Sequence, residues 1–143
     1  KLVKDPFVVT PHPMEMSRLA DIPVKEIQAH RSETAAAYAR DHHLITVLKG
    51  SHTVVTDGQD EYINNTGNHG MATGGSGDVL TGVIGAFLAQ KMELFEAARL
   101  GVYVHGLAGD AVRRERGTYS MMAGDIADRI LYGIERKGYH EQL

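Results

Sequence analysis

Cysteine is missing from the sequence altogether. That excludes disulfides and thiolate metal sites, and it suits a reducing, cytoplasmic setting. Long apolar runs are missing too. The longest, from Val79 to Ala89, is too short to span a bilayer and is interrupted by Thr81 and two glycines. No signal peptide is recognisable. Nor is there an excess of positive charge: 15 lysines and arginines against 18 aspartates and glutamates leave a formal net charge of −3. This balance argues against nucleic acid or an anionic membrane as partner. Eight histidines are present, yet none falls in an HExxH-like pairing. The adjacent His42 and His43 have no further spaced ligand and read as a solvated helix end rather than a metal site.

What is there fits a globular chain. Its 143 residues, 43% of them hydrophobic and 23% charged, make one domain or a piece of one with a buried core. The chain opens at Lys1 and enters a strand almost at once, so upstream sequence is expected. Phe7-Val8-Val9-Thr10 is a buried strand closed by Pro11-His12-Pro13. His12 lies at its carboxyl end, where open α/β sheets place ligands. A short helix from Met14 to Leu19 follows, with Glu15 in its first turn, suited equally to dipole compensation and to function. Asp21 to His42 is helical, with a break near His30. Leu44 to Leu48 is a second buried strand, and the helix between the two strands predicts a parallel crossover. Lys49-Gly50-Ser51-His52-Thr53 follows at that strand's carboxyl end, as a phosphate or ribose contact or as a tight turn. Thr53 to Thr56 and Glu61 to Asn64 read as a β-hairpin turned at Asp57-Gly58.

The densest signal is the stretch from Asn64 to Gln90. Glycine, asparagine, serine and threonine crowd it up to Gly77, and an apolar pattern of helical period then carries Val79, Leu80, Val83, Ile84, Phe87 and Leu88. A loop running into a helix leaves the first N–H groups unpaired at the positive end of the dipole, which is an anion site. Gly74, Gly75 and Gly77 let a phosphate approach the backbone. Asp78 is then either a base for a hydroxyl attacking phosphorus or simply a helix N-cap. No lysine follows Gly77 as a Walker loop requires, and Leu80 stands where a dinucleotide fingerprint needs its third glycine. A small-residue helix from about Glu93 to Arg113 carries Ala97, Gly101, Val104, Ala108 and Ala111 as a stripe for another helix. His105 beside it is read as a satisfied core or interface histidine. Arg113, Arg114 and Arg116 offset the dipole at the helix end, Gly117 ends it, and phosphate binding there is the lesser reading. Ser120 is expected to cap a last helix with Ile126, Ile130, Leu131 and Ile134 on its apolar stripe, and the tail from Lys137 to Leu143 to fray.

Three blocks occur in order: Thr10-Pro11-His12-Pro13; Leu48-Lys49-Gly50-Ser51-His52-Thr53; and Asn68-His69-Gly70-Met71-Ala72-Thr73-Gly74-Gly75-Ser76-Gly77-Asp78-Val79-Leu80-Thr81-Gly82. Together they resemble the ADP/ATP-dependent NAD(P)H-hydrate dehydratases of the ribokinase-like superfamily. The resemblance covers the C-terminal half of that catalytic domain. It implies an α/β layered sandwich, here partial, with a mostly parallel sheet flanked by helices and one β-hairpin, and with residues 1–143 as a single domain. It implies metabolite repair: NADH or NADPH whose ring has gained water is phosphorylated from ADP or ATP and then loses phosphate. Asp78 is implied as catalytic base and substrate contact, and His12 as substrate contact. Lys49, Gly50, Ser51, His52, Thr53 and Gly77 are implied to bind nucleotide. Backbone amides from Gly75, Ser76 and Gly77 to Asp78 are implied to receive the transferred phosphoryl. Magnesium is implied, with Glu15 as an indirect helper. Related kinases carry Asn-x-x-Glu where this chain has His12-Pro13-Met14-Glu15. Met14 replaces the usual glycine, and Ser76 the usual threonine. An N-terminal half of the same protein and a homo-oligomer are the further implied partners. The rivals are a small-molecule kinase of the superfamily and a non-catalytic nucleotide-binding fragment.

Overall fold

A computed structural model describes residues 5–130. Its contacts gather into two compact units, residues 5–64 with 92–99, and residues 65–91 with 100–130.

The first unit is built on a four-stranded sheet: β1 (Val8–Val9), β2 (Ile45–Leu48), β3 (Val54–Thr56) and β4 (Glu61–Ile63), in that spatial order. Between β1 and β2 the chain makes three helices, α1 (Pro13–Ala20), α2 (Val24–Ala29) and α3 (Arg31–His42). A crossover of that length permits the parallel pairing that places Val8 opposite Ile45. His30, at φ −138°, breaks α2 from α3 where a break is expected. The remaining pairings, β2 with β3 and β3 with β4, are antiparallel. The expectation of a mostly parallel sheet therefore fails for the described strands, while the α/β class stands. The cause is loop length: Lys49 to Thr53 and Asp57 to Asp60 are too short to hold a crossover. The hairpin turn is also longer than Asp57-Gly58 alone. Asp57 Oδ1 accepts from the N–H groups of Gln59 and Asp60, closing a four-residue turn.

Met16, Ile27, Ala35, Leu48 and Val54 form this unit's core, with Tyr38 and Ile22 packed against it. The alanines of α3 keep the helix close to the sheet. His42 stacks on Tyr38 with ring centroids 4.1 Å apart, and His43 closes α3 as its left-handed cap. The pair is thus a helix end, and no metal-binding group occurs among the described residues. Thr46 is wholly buried in β2, and its hydroxyl finds no partner among the described residues. A buried unsatisfied hydroxyl costs about 1–3 kcal/mol. Thr46→Val is therefore expected to raise stability by about 1 kcal/mol in chemical denaturation; a loss of stability would show that the hydroxyl is paired.

The second unit holds α4 (Ser76–Ala89), α6 (Ala123–Asp128) and the length of α5 (Leu94–Arg116) from Leu100 onward. The small-residue stripe does admit another helix. A Cβ on Gly101 of α5 would stand 2.6 Å from Ile84 Cγ1 of α4. Ala108, Val112, Met121 and Ile126 form the core, with Met71, Val79 and Ile130 against it. Gly117 closes α5, its N–H donating to Arg113 O at 2.9 Å. Arg116 and Arg129 pair with Asp125 and Glu115, and the Arg129 guanidinium holds the Glu115 carboxyl below its ordinary range. Ser120 does not cap the last helix. Met122 takes that place, because Asp125 reaches back to accept its N–H at 2.9 Å. Leu131, Ile134 and the tail from Lys137 lie outside the described residues. No described helix is long and apolar enough to cross a membrane.

Candidate functional site

Two places collect the residues singled out above. The first is the carboxyl end of β1 and β2. Pro11 is buried, and its carbonyl accepts from Lys49 N–H at 2.9 Å, tying the two strand ends together. His12 is the N-cap of α1 in a reciprocal box: Glu15 N–H donates to His12 Nδ1 at 3.2 Å, and His12 N–H donates to Glu15 Oε1 at 3.1 Å. His12 Nε2 lies 3.0 Å from the same carboxylate oxygen. Since Nδ1 accepts, a neutral ring carries its proton on Nε2. The histidine side chain is still half exposed, so its ring face stays open while its nitrogens are fixed. Met14, in place of a glycine, is accommodated on the exposed side of α1.

From Lys49 the chain turns over five residues, with Gly50, Ser51 and His52 exposed. Gly50 has φ +149°, a conformation that side chains with a Cβ rarely adopt, and Thr53 Oγ1 donates to its carbonyl at 3.2 Å. Beneath the turn sits Arg31, which sequence reasoning missed. Its Nη2 donates to the carbonyls of Leu48 (3.0 Å) and Lys49 (3.3 Å), and its Nη1 donates to Gln28 Oε1 (2.8 Å). Partial burial lowers its pKa from the ordinary arginine value. A Cβ on Gly50 would stand 3.0 Å from this guanidinium, so the glycine also makes room for the arginine.

The second place is the N-terminus of α4. Gly75 is the N-cap at φ +86°, and the helix starts at Ser76, so Asp78 occupies the third helical position and is not the cap. Ser76 N–H donates to Thr73 O and Val79 N–H to Gly75 O. Between them, the N–H groups of Gly77 and Asp78 have no partner among the described residues. Around Gly74 a Cβ would meet nothing within 4 Å, which leaves the approach open. The Asp78 carboxylate is exposed. Ser76 is buried, its Oγ 3.4 Å from His105 Nε2, so His105 has the partner expected of it. Two amides without a partner among the described residues, the positive end of a helix dipole and an open glycine are chemistry suited to an anion, with a carboxylate in the same helical turn.

The loop before this turn is pinned to α5 by groups that sequence reasoning passed over. Thr66 Oγ1 donates to Tyr103 O at 3.0 Å, Gly67 N–H to Asp110 Oδ2 at 3.0 Å, and Asn68 Nδ2 to Asp110 Oδ1 at 3.1 Å. Gly106 and Gly109 allow the close approach, facing Thr66 and Met71. A legible signal existed: two glycines three apart, with an aspartate directly after, inside an otherwise regular helix.

The helix-flanked sheet is of the ribokinase-like class of α/β proteins: the crystal structure of a ribokinase-like superfamily protein from Enterococcus faecalis superposes with a TM-score of 0.71 at 32% identity, covering 90% of this chain and 44% of that one. The crystal structure of an ADP/ATP-dependent NAD(P)H-hydrate dehydratase from Bacillus subtilis, co-crystallised with ATP and magnesium and soaked with CoA, superposes with a TM-score of 0.87 at 34% identity, covering 92% of this chain and 49% of that one. The family model for NAD(P)H-hydrate dehydratase matches residues 1–131, and the chain belongs to that family. It is 52% identical over 129 residues to a bifunctional NAD(P)H-hydrate repair enzyme of Moorella thermoacetica, covering 89% of this chain and 24% of the relative. An ADP-dependent (S)-NAD(P)H-hydrate dehydratase of Neisseria meningitidis is 42% identical over 123 residues, covering 85% of this chain and 42% of the relative. The chain thus spans from a quarter to less than half the length of these curated relatives.

Proposed function

We propose that residues 1–143 are the C-terminal part of the catalytic domain of a nucleotide-dependent dehydratase that restores hydrated NADH or NADPH. The observation that carries this reading is the pair of unpartnered amides, Gly77 and Asp78, beside an exposed carboxylate on the same turn. Water leaves the hydrated ring slowly because hydroxide is a poor leaving group. In the proposed reaction the ring hydroxyl gives its proton to Asp78 and its oxygen bonds to the terminal phosphorus of ADP or ATP. The bond to the bridging oxygen breaks, releasing AMP or ADP. The C–O bond then breaks with loss of phosphate and a ring proton, and the intact cofactor returns. The amides of Gly77 and Asp78 meet the charge growing on the transferred phosphoryl, the electrostatic contribution that dominates such transfers, whereas the Ser76 N–H expected among them is taken by Thr73 O.

Lys49 to Thr53 and Gly77 take the nucleotide, and His12 takes the hydrated nicotinamide ring. No group of three or more histidines, aspartates or glutamates gathers among the described residues, and a magnesium ion held mostly by phosphate oxygens and water needs none. When bound it would neutralise phosphate charge. Glu15, engaged with His12, would help through water. A partner half supplied by upstream sequence, a homo-oligomer and a cytoplasmic setting complete the reading.

The test is incubation of hydrated NADH with ADP, magnesium and the complete protein, followed by absorbance. Return of the NADH band is expected. Accumulation of a phosphorylated product without that band assigns a small-molecule kinase, and ADP binding without turnover assigns a nucleotide-binding module. Lys49→Ala is expected to weaken ADP binding by about 1–2 kcal/mol in calorimetric titration, the scale of one charge-assisted contact. Unchanged affinity puts the nucleotide elsewhere.

A further inference from the structure

We propose that Asp110, in the middle of α5, is a positioning residue that aims the amides of the anion cradle; the claim rests on the phosphoryl-transfer reading of that cradle. Asp110 is half-buried and uses both oxygens on one segment, accepting from Gly67 N–H and from the Asn68 amide. Bonds to a carboxylate are stronger than neutral ones and fix geometry more tightly. Asn68 is itself a relay. Its Oδ1 accepts from Gly70 N–H at 3.1 Å, and its carbonyl accepts from Met71 N–H at 3.1 Å, forming a single 3-10 turn over His69–Met71. Thr73 N–H then donates to Met71 O at 2.9 Å, and Ser76 N–H to Thr73 O at 3.2 Å. An unbroken run of hydrogen bonds therefore leads from the Asp110 carboxylate to the first residue of α4. The next two N–H groups, of Gly77 and Asp78, are the ones without a partner among the described residues. On the far side the Thr66 hydroxyl holds Tyr103 O, so the segment is anchored at both ends to one helix.

The asymmetry of the Asp110–Asn68 contact supplies its own test, because acceptor and donor can be exchanged. Asp110→Asn sets two amides against each other and loses the charge. Asn68→Asp sets two carboxylates against each other. In the double variant Asp110→Asn/Asn68→Asp, the new amide donates to the new carboxylate while its oxygen still accepts from Gly67. The new carboxylate in turn accepts from Gly70, so all three bonds return.

In the complete protein each single variant is expected to lower kcat for hydrated NADH about tenfold to a hundredfold, the scale of a small misplacement of reacting groups. ADP affinity, carried mainly by Lys49 to Thr53, is expected to fall by no more than about tenfold and less than kcat, and the double variant to regain kcat within about threefold of the parent. A purely structural aspartate would lower melting temperature without this split. Parental kcat in Asp110→Asn, or a double variant as impaired as the singles, overturns the proposal. A parent inert towards hydrated NADH would count against the proposed function alone. The aim of the amides is then read from the Gly77 and Asp78 amide resonances titrated with inorganic phosphate. Asp110→Asn is expected to weaken that binding about tenfold and the double variant to restore it; identical titrations for all three proteins overturn the proposal.

Discussion

Asp78→Asn is expected to reduce turnover of hydrated NADH by about a hundredfold to ten-thousandfold, the contribution of a general base, while ADP affinity stays within about tenfold. The residue is exposed, so the near-isosteric substitution removes a proton acceptor at little cost in packing. An interaction made mainly in the transition state appears in kcat and not in ground-state binding. The competing role is local. At the third helical position a carboxylate also opposes the dipole, worth about 0.3–1 kcal/mol. If that were its whole purpose, the variant would melt slightly earlier and turn over as fast as the parent. Kinetics and a melting curve on the same preparation separate the two, and parental kcat removes Asp78 from the chemistry.

Gly106→Ala is expected to destabilise the protein by about 2 kcal/mol or more, although alanine gains about 1 kcal/mol over glycine in helix propensity. The added carbon would lie 2.7 Å from Thr66 Cβ and 2.8 Å from the Thr66 carbonyl carbon, so the backbone itself must move. Moving Thr66 draws Gly67 and Asn68 away from Asp110, and turnover is expected to fall with stability. Gly109→Ala is the control. Its carbon would meet Met71 side-chain atoms, with Cε and Cγ at 2.6 Å, and methionine can repack. A cost within about 1 kcal/mol is expected there. Equal or reversed costs in denaturant unfolding would show that the loop is not pressed against Gly106.

Much of the site was legible from residue order. The run from Gly74 to Asp78 marks a helix start because glycine-rich backbone gives way there to an apolar helical period, and Gly75 is indeed the N-cap of α4. His12 and Lys49 could be placed at strand ends because each follows a short apolar run directly. The hairpin and the break at His30 were legible for the same local reason. Ser120 was misread because serine is a good cap by type, whereas Asp125 reaching back to Met122 is decided by where the turn after Gly117 leaves the chain. The sheet is less parallel than its one crossover suggests, because the loops Lys49 to Thr53 and Asp57 to Asp60 are too short for another.

Local chemistry thus determined that this chain carries a glycine-led helix start, with a carboxylate in its first turn, and a lysine-led turn at a strand end. Only the tertiary structure decided what holds these pieces still: Arg31 under the Lys49 turn, and Asp110 with Gly106 behind the loop that leads to Ser76. The reason is sequence separation. A helix period or a glycine run is written in neighbouring residues. A carboxylate that grips an amide 43 residues away declares itself only when the chain has brought them together.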